Sequence, residues 1–388
     1  MNIDINAGVI RMNDTEYRRA FPEEIPQIVD FLNMVFSVDH EPHNFPKLLP
    51  KVYAHDDFWK IQYAAVREGR ILAGVTLLPL TLTLRPGIAL KAGFVGGVSV
   101  HPYFRGEGHM KSLLSKVILD AREDGLDLLV LGGQRQRYGH FGFGKADPVI
   151  SYEINPSNIR HALCDSDDSG ITFETVEPGM TEVLEKILNS YLSGQDTCDR
   201  GDRLYDYLLS WNAVPEMILN NGRYIGYCCR HDTEVYELRL DEPGLYRNVV
   251  KAFVKKYGGM QGNIALYDPE FRTEVTDFAE DISVTDSGMV CVLNWQRMLE
   301  KLLAVRVMTQ PVPDGNFCLR VKGEGQYKII VKDGKPSVME EPDDSGAALM
   351  PDKAVDLLFS VAGAINCTDP WLREILPLPF HMGTTDHF

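Results

Sequence analysis

The stretch Val98-Ser99-Val100-His101-Pro102-Tyr103-Phe104-Arg105-Gly106-Glu107-Gly108-His109-Met110 constrains this chain most, because an apolar strand runs through a short basic turn with two glycines straight into an amphipathic helix. Gly106 and Gly108 let main-chain N–H groups approach a ligand, Arg105 adds a fixed positive charge, and the helix points its positive dipole end at the same spot. Such a turn is an anion cradle whose natural guest is a pyrophosphate. Short glycine patterns also serve merely to turn a chain. Met110, Leu113, Leu114, Val117 and Ala121 follow the i, i+3, i+4, i+7 spacing of a core-facing stripe, and Gly125 stops the helix. A second strand over 126–131 leads to Gly132-Gly133 and the segment Arg137-Tyr138-Gly139-His140-Phe141-Gly142-Phe143.

This order of strand, phosphate turn, helix, strand and tyrosine turn resembles the GNAT superfamily of N-acetyltransferases, whose motif (Q/R)-x-x-G-x-(G/A) binds the pyrophosphate of acetyl-coenzyme A. Residues 103–108 match it except at Tyr103, which stands where the family has Gln or Arg. The resemblance implies acetyl-coenzyme A as co-substrate, with Val98, Ser99 and Val100 along the strand, Arg105, Gly106, Glu107, Gly108, His109 and Met110 at the turn, and Gly133 beyond. It also implies that the strand over 94–100, interrupted by Gly96-Gly97, splays from its neighbour and offers free main-chain groups to the pantetheine arm. Tyr138-x-x-x-Gly142-Phe143 resembles the later motif, in which a tyrosine hydroxyl lies near the coenzyme sulfur.

A chain of 388 residues has length for two or three domains. Its N-terminus lacks the layout of a signal peptide and no apolar run is long enough for a bilayer, which gives the expectation of a cytoplasmic protein without membrane contact. Seven cysteines without a C-x-x-C pair indicate neither a disulfide framework nor a zinc site. Residues 1–150 are balanced in charge, so the whole net charge of −16 lies beyond them. Such a surface repels nucleic acid and favours a small cationic amine as substrate.

The first 150 residues supply a strand over 16–20, a helix over 22–36 and a hairpin of 63–66 with 71–84 about Glu68-Gly69. Past them the pattern returns: a strand over 171–175, a helix over 178–192, and Asn221-Gly222-Arg223 echoing Glu68-Gly69-Arg70. The helix over 245–256 follows Asp241-Glu242-Pro243-Gly244, two acids where a phosphate needs positive charge, so this copy is not expected to bind coenzyme A. Strands over 317–321 and 326–331, the turn Asp333-Gly334 and a helix over 351–364 predict a small mixed sheet with helices on one side. The fold class is α/β (α+β).

An acetyltransferase, a copy without the phosphate turn and a small α/β tail together resemble the enhanced intracellular survival family of bacterial acetyltransferases. The resemblance implies domains at 1–150 and 151–284, both GNAT-like, and a sterol-carrier-protein-like domain at 285–388. It further implies Tyr138 as general acid, the carboxylate of Phe388 as general base, amine acceptors with aminoglycosides among them, and a homo-oligomer, specifically a hexamer. Independently, a tyrosine with an ordinary pKa of about 10 is protonated at neutral pH and suited to supply a leaving thiolate with its proton. A buried structural tyrosine is the competing reading.

In the loop after the first helix, Phe36 offers an aromatic wall, and Asp39 and Glu41 offer carboxylates to a cationic acceptor. In His40-Glu41-Pro42-His43 the proline disrupts helical spacing, so no metal is expected there. A non-catalytic protein that holds an acyl-coenzyme A or a lipid remains the alternative function.

Overall fold

Apolar alternation and tight turns build most of one large sheet. The computed structural model describes residues 5–6, 9–12, 14–38, 41–268, 271–342 and 347–388. In chain order the first half comprises β1 (Thr15–Arg19), α1 (Ile25–Ser37), β2 (Gln62–Arg67), β3 (Arg70–Arg85), β4 (Ile88–Val100), α2 (His109–Glu123), β5 (Leu128–Leu131) and β6 (Gly144–Ile154). The second comprises β7 (Ile171–Thr175), α3 (Thr181–Leu192), β8 (Val214–Asn220), β9 (Arg223–His231), β10 (Glu234–Leu240), α4 (Tyr246–Tyr257), β11 (Met260–Ala265) and β12 (Asp281–Val292).

The repeat expected from sequence is present as topology. β1 to β4 pair antiparallel and β4 is parallel to β5 across α2, while β7 to β10 run antiparallel in the order β7-β8-β9-β10 and β10 is parallel to β11 across α4. Even the hairpin turns correspond: Glu68 and Gly69 have φ of +49° and +73°, and Asn221 and Gly222 have +50° and +78°. These are the left-handed angles of a two-residue turn that matches strand twist. The two halves exchange strands. β6 pairs with β11, and β12 returns to lie between β5 and β6. The boundaries expected at 150/151 and 284/285 therefore each fall inside a strand.

α1 buries Ile28, Phe31, Leu32 and Val35, one stripe at helical spacing, on one face of the sheet. α2 buries Leu113, Leu114, Val117 and Ala121 on the other. It ends where Gly125 turns to φ +74° and Leu126 N–H returns to Ala121 O at 3.0 Å, a helix stop that favours glycine.

After β12 come the helix α5 (Trp295–Thr309) and the strands β13 (Gly315–Val321), β14 (Gly325–Lys332) and β15 (Lys335–Glu341). This small sheet is antiparallel rather than mixed, because the Asp333-Gly334 turn brings in a third strand that the sequence reading did not mark. The single helix expected over 351–364 is two helices, Pro351–Phe359 and Val361–Asn366. Ser360 is extended between them, at φ −97° and ψ 156°, and its hydroxyl accepts from Gly363 N to start the second. The core of this unit is continuous with that under α1, through Trp295, Leu299, Phe359 and Phe380. Buried Asp127 fastens it further by accepting from Arg297 Nε at 2.6 Å and Lys301 Nζ at 2.9 Å.

Candidate active site

The site begins where β4 and β5 part. They pair only from Ala92 to Phe94 against Leu128 to Val130, whereas on its other side β4 stays bonded to β3 as far as Val100. Among the described residues no strand pairs with the β5-facing edge of β4 past Phe94. That leaves main-chain donors and acceptors of Val95 to Val100 facing a slot, and such groups require partners. A bulge opposite Gly74 and Thr76, with Gly97 at φ +57°, bends β4 there.

At the far end of the slot lies the turn 105–108. Gly106 and Gly108 have φ of +89° and +84°, and a Cβ on either would meet nothing within 4 Å. Both glycines thus leave open space beside the main chain at the N-terminus of α2, with Gly108 as its N-cap. A groove of about 720 Å³ opens there, lined by Arg105, Gly106, Gly108, Met110 and Lys111 on one side and by His140 and Phe141 on the other. Lys111, Ser115, His140 and Phe141 were not among the residues expected to bind, although Lys111 adds positive charge one helical position past Met110.

Two side chains expected here face away. Glu107 binds Arg67 Nη2 at 2.7 Å, and that pairing holds its carboxyl below the usual range. His109 is buried, with Nδ1 2.9 Å from Tyr17 Oη and Nε2 3.2 Å from Glu107. Desolvation lowers its pKa, so the imidazole is neutral at pH 7. Glu107 and His109 therefore offer an anion their main-chain N–H groups only, and the acid's charge is masked by Arg67.

Tyr138 ends the one-turn helix Arg135–Tyr138 just beyond β5. Its ring is 9% exposed and packs on Phe143 at 6.1 Å between centroids. Gly133 is needed beneath it, since a Cβ there would stand 2.6 Å from Tyr138 Cε2. Burial raises the phenol pKa and outweighs Arg137, which keeps the hydroxyl protonated.

Phe388 packs against β4 at Gly96, on the face of the sheet opposite Tyr138. Its ring lies 5.0 Å from Phe94 and 6.3 Å from Tyr53, within the core beneath α1, whereas Tyr138 belongs to the core beneath α2. Phe36 meets Phe388 only through a row of rings, Phe36 on Phe45 at 5.0 Å, Phe45 on Tyr53 at 5.1 Å, then Tyr53 on Phe388. Phe36 is thus part of a packed aromatic ladder rather than a free wall. Glu41 is exposed, and Asp39 lies outside the described residues. Among the described residues no group of three His, Cys, Asp or Glu side chains is placed to hold a metal, and no helix is long and apolar enough to cross a membrane.

The slot and cradle fit acetyl-coenzyme A: glycines open toward the groove, two cationic side chains at the anion end, and an unpaired strand edge leading inward. Residues 16–146 match the family model described as Acetyltransferase (GNAT) domain. No curated protein matches the chain. Solved structures share its fold at low identity. A GCN5-related N-acetyltransferase from Anabaena variabilis superposes with a TM-score of 0.67 at 16% identity, covering 96% of this chain and 100% of that one. Eis1 from Mycobacterium abscessus gives 0.64 at 14% identity, again over 96% and 100%. A probable N-acyltransferase from Enterococcus faecalis gives 0.63 at 16%, over 84% and 86%.

Proposed function

We propose that this chain, whose residues 16–146 match the Acetyltransferase (GNAT) domain model, is an N-acetyltransferase that transfers acetyl from acetyl-coenzyme A to a primary amine of a cationic acceptor of aminoglycoside, polyamine or lysine type. The observation that carries the reading is the β4 edge left unpaired beyond Phe94, with the ring of Phe388 packed against Gly96 on that stretch. Acetyl-coenzyme A brings the thioester. Arg105 and Lys111 attract its phosphates, the N–H groups of the turn bind them, and the free edge orients the arm. The acceptor enters from the Phe388 face.

In this reading the carboxylate of Phe388 takes a proton from the acceptor ammonium, and the free amine forms the new C–N bond as the C–S bond breaks. Tyr138 gives its proton to the departing sulfur, and the surplus proton on the newly acylated nitrogen returns to the Tyr138 phenolate, leaving a neutral amide and a free thiol. The net charge of −16 supports a cationic acceptor. The assay is release of free thiol from acetyl-coenzyme A with kanamycin, spermidine and a lysine peptide. Thiol release with at least one of them is expected, and none with any would defeat the choice of acceptor class. The reading takes the unit that follows β12, from Trp295 onward, as sterol-carrier-like and the assembly as a homo-oligomer, and light scattering tests the assembly.

A further inference from the structure

We infer that Lys51 is a positioning residue for acetyl transfer, holding the segment 385–388 in the cleft from beneath; this rests on the reading that Phe388 acts at the reacting centre. Lys51 lies in the short helix Pro50–Tyr53 and is 1% exposed. Its Nζ donates to Thr385 O and, at 2.6 Å, to His387 O. The ammonium also lies 4.8 Å from the centroid of the Tyr207 ring. Burial pushes Lys51 down to about 7, although Asp386 pulls the other way. So costly a placement persists only where the surroundings enforce it.

A second donor meets the same carbonyl. Trp211 Nε1 reaches His387 O at 3.4 Å, and Trp211 sits at φ +62° and ψ 34°, a left-handed conformation that strains a bulky residue. The second half completes the grip. Arg200, its side chain fully buried, binds Asp386 Oδ1 at 3.0 Å, Thr385 Oγ1 at 2.7 Å and Glu237, while Tyr191 donates to Asp386 Oδ2 at 2.9 Å. The half that lacks a phosphate turn thus shares in fixing the ring that lines the slot of the other.

The experiment compares Lys51→Met and Trp211→Phe with the unaltered chain by hydrogen exchange and by kinetics, using whichever of kanamycin, spermidine and a lysine peptide releases thiol fastest. Lys51→Met should speed exchange over 381–388 alone and lower kcat by about 10²-fold, the cost of an ångström-scale misplacement, with KM for acetyl-coenzyme A unchanged. Trp211→Phe, which deletes one donor and keeps the aromatic bulk, should move both readings less and in the same direction. Lys51→Arg, which keeps a donor, should recover part of kcat. Unchanged exchange over 381–388 in both Lys51→Met and Trp211→Phe overturns the inference, and so does faster exchange with unchanged kcat. A few glycines added after Phe388 test the base reading separately, because they leave Lys51 intact; full turnover there removes the carboxylate as base whatever Lys51→Met does to exchange.

Discussion

The ring of Phe388 fills the space a side chain at Gly96 would need: a Cβ built there would stand 2.6 Å from Phe388 Cδ2 and 3.1 Å from Cζ. A glycine inside a strand is here explained by a ring from the other end of the chain.

Gly96→Ala should therefore push Phe388 aside. If the Phe388 carboxylate is the base, kcat should fall by about 10²-fold, the cost of a small misplacement of a reacting group, with acetyl-coenzyme A affinity nearly that of the parent. The double variant with Phe388→Ala should be no worse than Phe388→Ala alone, since the clash then has no partner. Additive losses in steady-state kinetics would contradict this.

Tyr138→Phe keeps the ring that packs on Gly133 and Phe143 and deletes only the hydroxyl. Turnover should drop by about 10²- to 10⁴-fold, the usual share of a general acid, with unchanged coenzyme affinity. A purely structural tyrosine would lose little.

Gly108→Asp places a carboxylate where the cradle faces its anion and puts a Cβ on a backbone at φ +84°. Calorimetric titration with acetyl-coenzyme A should show no binding, while circular dichroism stays that of the parent. Undiminished affinity would remove the turn from the coenzyme site.

The pair His381–Asp147 gives a pH dependence of stability. Burial pushes His381 down, but Asp147 Oδ1 at 2.7 Å pushes it up by more, helped by Asp196 and opposed by Arg239, so its pKa lies above 6.5. Burial likewise pushes Asp147 up, yet His381 brings it below 3.8, with help from Ser287. The histidine's stabilisation is complete below its unfolded value and is lost as pH rises through its raised pKa; the aspartate's is complete above 3.8 and is lost as pH falls through its lowered one. Thermal melts should show His381→Gln losing most Tm between pH 4 and 6.5 and progressively less above that. A uniform loss across pH would exclude the ion pair as the cause.

Local signals carried much of this fold. The stripe of α2, the turn 105–108 and the echo of Glu68-Gly69 in Asn221-Gly222 are short-range patterns, and each lies where the spacing puts it. What sequence could not give was pairing over distance. Nothing near Asp281 says that it enters between strands starting at 128 and 144, and nothing near Lys51 says that its ammonium ends beneath residues more than 300 positions later. Glu107 and His109 show a subtler limit. Their place in the turn was legible, but the direction of their side chains depended on Arg67 and Tyr17, which are contributed by other strands. The break at Ser360 was missed because apolar spacing runs through it, although its hydroxyl is a good cap for the helix that follows.

The strand exchange has a consequence in time. β5 and β6 are separated in the finished sheet by β12, so the half with the phosphate turn remains unfinished until β12 has been made, with residues 155–280 synthesised in between. A fragment cut at 150 would keep the cradle but expose the facing edges of β5 and β6, an invitation to pair with other chains. The copy that lacks the phosphate turn thereby acts as a folding partner for the copy that has it, and neither half is a free-standing unit of inheritance that could be trimmed away without unmaking the other.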